Sequence, residues 1–181
     1  MVQEADCVLG AMGRLAMAAI LAQSAWHARK NPSRHAAAVA GYKLLPYRAI
    51  PAAAWAFPLL SFAAALLLPW HETARAGLML AMMLISLFTV AIAINLRRGR
   101  LHIDCGCGGA EGQHISRGLV IRNLVLLAML AASLPAPVSH AIEMAPFIVA
   151  LGGAGGIAAL YFATTQLLAN DATFRAGAAR A

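Results

Sequence analysis

The chain has 181 residues, a formal net charge of +7 and a pI near 10.2, with 61% of its residues hydrophobic and 12% charged. Soluble domains carry roughly 25% charged residues and arrange their apolar ones in amphipathic periods, whereas here the apolar residues form long unbroken runs, which excludes a water-soluble globular protein. The basic excess does not mark a nucleic-acid binder either, because Lys and Arg stand in short connectors and at run ends, as membrane topology requires.

Residues 8–26 form the first apolar run, interrupted by Arg14. Glu4 and Asp6 occupy the place where a cleavable signal would be positive, so the run is expected to remain as a span, although Ala22-Gln23-Ser24-Ala25 faintly imitates a cleavage site. An unpaired charge inside a span is costly, and Arg14 is expected to snorkel to the interface. A basic connector follows, in which His27 and His35 are read as solvated, as is His140 further on. Residues 51–69 form the second span, where Pro58 should kink the helix or open a backbone gap that a neighbour fills.

Trp70 to Thr73 read as an interfacial turn, and residues 77–96 give the third and clearest span. At ~1.5 Å per residue, such runs cover most of a ~30 Å hydrocarbon layer. Residues 97–118 form a polar, glycine-rich loop. The fourth run, 119–134, carries Arg122 and Asn123 near its start and is closed by Pro135 and Pro137. In the last, 146–169, Gly152 and Gly156 make a small-xxx-small packing face, and the tail from residue 170 is expected to fray. The expected fold is all-α: one integral membrane domain over residues 1–181, a polytopic transmembrane bundle of four packed helices with a fifth span, since lipid cannot satisfy free backbone groups.

Five crossings put the termini on opposite sides. Arg29, Lys30, Arg34, Lys43, Arg48, Arg97, Arg98, Arg100, Arg117, Arg175 and Arg180 fall on one side and only Arg75 on the other. The positive-inside rule makes the first side cytoplasmic, where disulfides are normally kept reduced.

The chemistry concentrates at His102-Ile103-Asp104-Cys105-Gly106-Cys107-Gly108-Gly109, with His114 beyond. Glycine between and after the cysteines permits the sharp bend that brings the sulfurs together. A disulfide over so short a loop departs from relaxed geometry, which makes it easier to reduce and more oxidising toward a partner thiol. Arg100, Arg117 and Arg122 supply positive potential that favours thiolate, and Asp104 opposes them. Cys105 and Cys107 are therefore the candidate catalytic redox pair. The competing reading is a soft metal site built from Cys105, Cys107, His102 and His114, with a spacing atypical of zinc. A third is a glycine loop whose thiols do nothing. Cys7, at the far membrane face, reads as a small packing residue.

Three stretches together carry a family resemblance: Arg97-Arg98-Gly99-Arg100, then Ile103-Asp104-Cys105-Gly106-Cys107, then Arg122-Asn123. With Asn31-Pro32 and Gly41-Tyr42-Lys43-Leu44-Leu45-Pro46 in the first connector, the chain resembles the methylamine-utilisation MauE family of DoxX-like, redox-associated membrane proteins. The chain departs from the family's pattern at Gly108, where relatives often carry an aromatic, at His27 in place of Lys and at Ser61 in place of Glu.

The resemblance implies a multi-pass bacterial inner-membrane protein. It implies assistance to maturation, transport or disulfide formation of the methylamine dehydrogenase small subunit, beside a thioredoxin-like periplasmic or membrane-anchored partner, with Asp104, Gly106, Arg122 and Asn123 supporting the thiols. On this reading the protein is a candidate thiol-disulfide oxidoreductase. A bilayer quinone is an available electron acceptor, but no residue demands it or any other cofactor. The rivals are a membrane scaffold or export component that works without its thiols, and a thiolate metal-binding membrane protein.

Overall fold

The computed structural model describes the backbone of residues 2–101, 103–106, 114–134 and 144–178, and the side chains of 7–101, 103–106, 114–134 and 146–170. Its helices are α1 (Val2–Lys30), α2 (Pro32–Gly41), α3 (Ile50–Leu67), α4 (Ala74–Arg97), α5 (Arg117–Ala132) and α6 (Met144–Ala178), with a 3-10 turn at Tyr47–Ala49 before α3. Among the described residues there is no strand, only an isolated antiparallel bridge between Asp104 and His114. The all-α membrane bundle expected from the sequence is what the chain forms.

Four stretches are long and apolar enough to cross a membrane: Cys7–Lys30, Tyr47–Leu67, Ala74–Arg97 and Pro146–Asn170. The fifth expected span is α5, whose 16 residues reach only about 24 Å at ~1.5 Å each. It is packed into the bundle nonetheless, and Leu126 and Leu130 join Met17, Leu21, Ala64, Leu68, Leu78 and Ala81 in the main core. α3 runs through Pro58 as one helix. α6 continues past the expected end of its span to Ala178, so the backbone of the tail is helical up to that residue rather than frayed.

The five long helices alternate in direction. Gly13 near the start of α1 lies against Met129 and Ser133 at the end of α5, while Gly118 at the start of α5 lies against Leu168 near the end of α6. The first and third connectors, with nine of the basic residues, consequently gather at one end of the bundle. Cys7, a buried thiol, sits toward the other.

Three expectations about helix faces need correction. Arg14 does not snorkel: it is 6% exposed and turned into the bundle, with one Nη lacking a hydrogen-bond partner. Gly152 and Gly156 meet nothing within 4 Å and are exposed; it is Gly153 that packs, against Met12 of α1. His35 is not solvated but 8% exposed, because the first connector is no open loop. Asn31 and Pro32 start α2 there, with proline at a position whose amide needs no helical partner, and α2 folds back onto the third connector.

Candidate functional site

α4 ends in a Schellman motif: the Gly99 amide donates to the Leu96 carbonyl and the Arg100 amide to that of Asn95, both at 3.1 Å. The motif requires a left-handed residue, and Gly99 supplies it at φ 70°. The chain then crosses the bundle end. Ile115 donates to the Ile103 carbonyl at 3.0 Å, closing the base of the loop, and Ser116 caps α5 by accepting from the Leu119 amide at 3.4 Å.

Cys105 lies at this base, 2% exposed, in a small core with Tyr42, Ile92, Ile115 and Leu119. It is disulfide-bonded. Cys107 and His102 lie outside the described residues, as does His140. One face of α2 and the capping residue that follows it cover the site through His35, Ala38 and Tyr42, spaced for a single helical stripe. The buried Tyr42 hydroxyl donates to the Cys105 carbonyl at 2.9 Å, and burial raises its pKa well above the ordinary phenol value, so it stays a donor. Gly106 has φ 68°, and a Cβ there would stand 2.8 Å from the Ala38 Cβ. Glycine is thus required twice at one position, for its backbone angle and for its missing side chain.

His35 bonds the backbone of Gly106, while its Nε2 is buried without a partner. Burial lowers its pKa below the ordinary 6.5, and the Gly106 bond only partly opposes this. The neutral ring is therefore the one that fits. At pH above 6.5 both docked and undocked α2 hold neutral His35; as pH falls below 6.5 the undocked form takes the proton more readily, so docking weakens. Hydrogen exchange of the α2 amides, corrected for intrinsic rate, is expected to accelerate between pH 7.5 and 5.5 in the native chain and not in His35→Gln. Equal protection of both proteins at both pH values would remove His35 as the sensitive group.

Asp104 does not act on the thiol as a lone charge. It is half-exposed and shared between Arg34 of α2 at 3.8 Å and His114 at 3.6 Å. Among the described residues no group of three or more His, Cys, Asp or Glu could hold a metal ion; of the residues of the metal reading, His114 faces Asp104, and His102 and Cys107 lie outside the described residues.

The Arg122 hydrogen bonds run to neighbours other than Cys105. The residue is buried one turn into α5, where it donates to Thr165 Oγ1 at 2.9 Å and to Asn123 Oδ1 at 3.3 Å, and its guanidinium lies 4.7 Å from the Tyr161 ring centroid. Arg122, held by Asn123 of its own helix, thus ties α5 to α6. The residues that sequence reasoning passed over are His35, Ala38 and Tyr42. A signal for them was present in Asn31-Pro32 and Gly41, which bracket a helix of ten residues.

A family model described as "Methylamine utilisation protein MauE" matches residues 7–136, which include the first connector, the Cys105 loop and α5. The chain belongs to the MauE family. A MauE protein of Methylophilus methylotrophus is 30% identical over 172 residues, 93% of this chain and 90% of its own length. Those of Paracoccus denitrificans and Paracoccus versutus are 39% and 36% identical over 105 and 126 residues, covering 55% and 66% of this chain and 56% and 67% of their own. No solved structure matches the chain. The chain is thus a multi-pass helical membrane protein of a methylamine-utilisation family, with a disulfide-bonded cysteine held at one end of its bundle.

Proposed function

We propose that this MauE protein is a thiol-disulfide exchange protein of the bacterial inner membrane, acting through Cys105 and Cys107. It would serve disulfide formation and maturation of the methylamine dehydrogenase small subunit, together with a thioredoxin-like partner. The observation that carries this reading is a disulfide-bonded Cys105 whose neighbour Gly106 is clasped by α2, since a loop without chemistry has no need of a second connector folded over it. A partner thiolate attacks the sulfur of Cys107, the Cys105–Cys107 bond breaks, and Cys105 leaves as thiolate. A second partner thiolate then displaces Cys107 from the mixed disulfide. Two electrons and two protons pass from the partner dithiol to the pair, and the partner leaves with a disulfide. Burial of Cys105 favours Cys107 as the sulfur attacked, because a nucleophile must approach along the S–S axis.

The test is labelling with a membrane-impermeant thiol reagent in a Cys7→Ser background, on intact cells and opened vesicles, with and without prior reduction. Labelling of Cys105 and Cys107 only after reduction supports the redox pair, and the preparation in which it occurs gives the membrane face. External labelling would place the loop with the secreted client and overturn the orientation that the charges favour. Full labelling without reduction in opened vesicles would sink the oxidative reading and leave the scaffold role.

A further inference from the structure

A cleft of about 560 Å³ opens on the side of α2 away from Cys105, between the end of α1, the start of α2 and the first four turns of α3. Its size falls in the ~300–1,000 Å³ range of small-molecule sites. Its wall is apolar and aromatic, with Trp26, Tyr47, Trp55 and Phe62, and these side chains are 51% to 87% exposed, so none of the described residues covers it. Small residues such as Ala25 and Ala54 make the hollow. Along α3 the lining runs from Ile50 to Phe62, about 18 Å at ~1.5 Å per residue, which is the shape for a chain rather than a disc.

Charge is confined to one end. Arg29 is the single charged residue of the lining, and Lys30 beside it is held with Nζ 5.4 Å from the centroid of the Trp26 ring. No carboxylate lines the cleft. Tryptophan, tyrosine and basic residues together mark headgroup depth, and a basic pocket between membrane helices at that depth suits a phosphate-bearing lipid head.

We propose that this cleft binds one anionic phospholipid, its phosphate against Arg29 and Lys30 and an acyl chain along Trp55 and Phe62. The two cations decide against a neutral headgroup, and the length of the apolar wall decides against a free phosphate. Because Pro32 and Ala36 line the cleft while His35 and Ala38 of the same helix face Gly106, the lipid braces α2 where it covers the loop. The site stands on the cleft itself and holds whether or not the cysteines exchange disulfides.

The experiment is native mass spectrometry of the full-length protein released from nanodiscs that contain equal phosphatidylglycerol and phosphatidylcholine of the same acyl chains, with ubiquinone added in a parallel sample. One phosphatidylglycerol is expected to be retained in preference to phosphatidylcholine. Removing one cation by Arg29→Gln should reduce that preference about fivefold, from ~1 kcal/mol per basic residue near the surface. Ala54→Phe, which fills the cleft and leaves both cations, should reduce retention of either lipid. Equal retention of the two phospholipids, a preference unchanged in Arg29→Gln, or ubiquinone retained in place of phosphatidylglycerol would each overturn the proposal.

Discussion

Cys105→Ser is expected to accumulate a mixed disulfide between Cys107 and the thioredoxin-like partner, whereas Cys107→Ser accumulates none. In exchange chemistry the sulfur that is attacked carries the partner, and the mixed disulfide is released either by the partner's second thiolate or, in the reverse direction, by the other sulfur of the pair. Cys105 is 2% exposed and enclosed by Tyr42, Ile92, Ile115 and Leu119, so an incoming protein thiolate cannot reach it while α2 is docked. With Cys105 replaced, the Cys107 thiolate attacks the disulfide of oxidised partner and is held in the adduct, because Cys105 is no longer there to complete the exchange and only the partner's own second thiolate can reverse it. Both variants should lose client disulfide formation entirely, because neither can store two electrons. The readout is non-reducing electrophoresis after acid trapping, with an immunotag on the chain. An adduct in Cys107→Ser and none in Cys105→Ser would reverse the assignment. No adduct in either, with client maturation intact, would end the redox reading.

Gly106→Ala should open the site far more than Gly99→Ala, although both glycines have nearly the same backbone angle, φ 68° and 70°. A left-handed conformation costs an L-residue about 1–2 kcal/mol, and both variants incur that. At Gly99 a Cβ meets nothing within 4 Å, so the cost ends there. At Gly106 it would stand 2.8 Å from the Ala38 Cβ, a methyl fixed to a helix with no rotamer to escape into, so α2 must move off the loop. Movement of α2 stretches the 2.9 Å Tyr42 to Cys105 bond and frees the buried His35 ring to water. Accessibility of Cys105 to a small thiol reagent after reduction should rise by at least about tenfold over Gly99→Ala, equivalent to ~1.4 kcal/mol of lost docking. Equal rates in the two variants would mean that α2 does not guard the thiol.

Much of the protein is legible before any coordinate. The apolar runs at 8–26, 51–69, 77–96 and 146–169 correspond to the four stretches found long enough to cross a membrane, because a segment in hydrocarbon must close its own backbone hydrogen bonds. The candidate loop is marked by Cys105-Gly106-Cys107, and Gly99 and Gly106 both adopt the positive φ that glycine permits. The motif stretches that support a resemblance to the MauE family all fall within the 7–136 match to that family.

What the linear pattern lacks is rotation about each helix axis. A span that is apolar on every side has no sequence-encoded inner face, so only packing against neighbours decides which residues turn inward. That is why Arg14 and Arg122 face protein rather than headgroups, and why Gly153 rather than Gly152 and Gly156 meets α1. The same holds for α2. Its ten residues include a run of alanines and read as a connector, and its role appears only when the alternating spans bring the first and third connectors to one end. Composition and run length determined that the chain is a membrane bundle with a thiol loop. Tertiary packing alone decided that His35, Ala38 and Tyr42 close over Cys105, since a docking surface requires two segments about seventy positions apart to meet, and no local period records such a meeting.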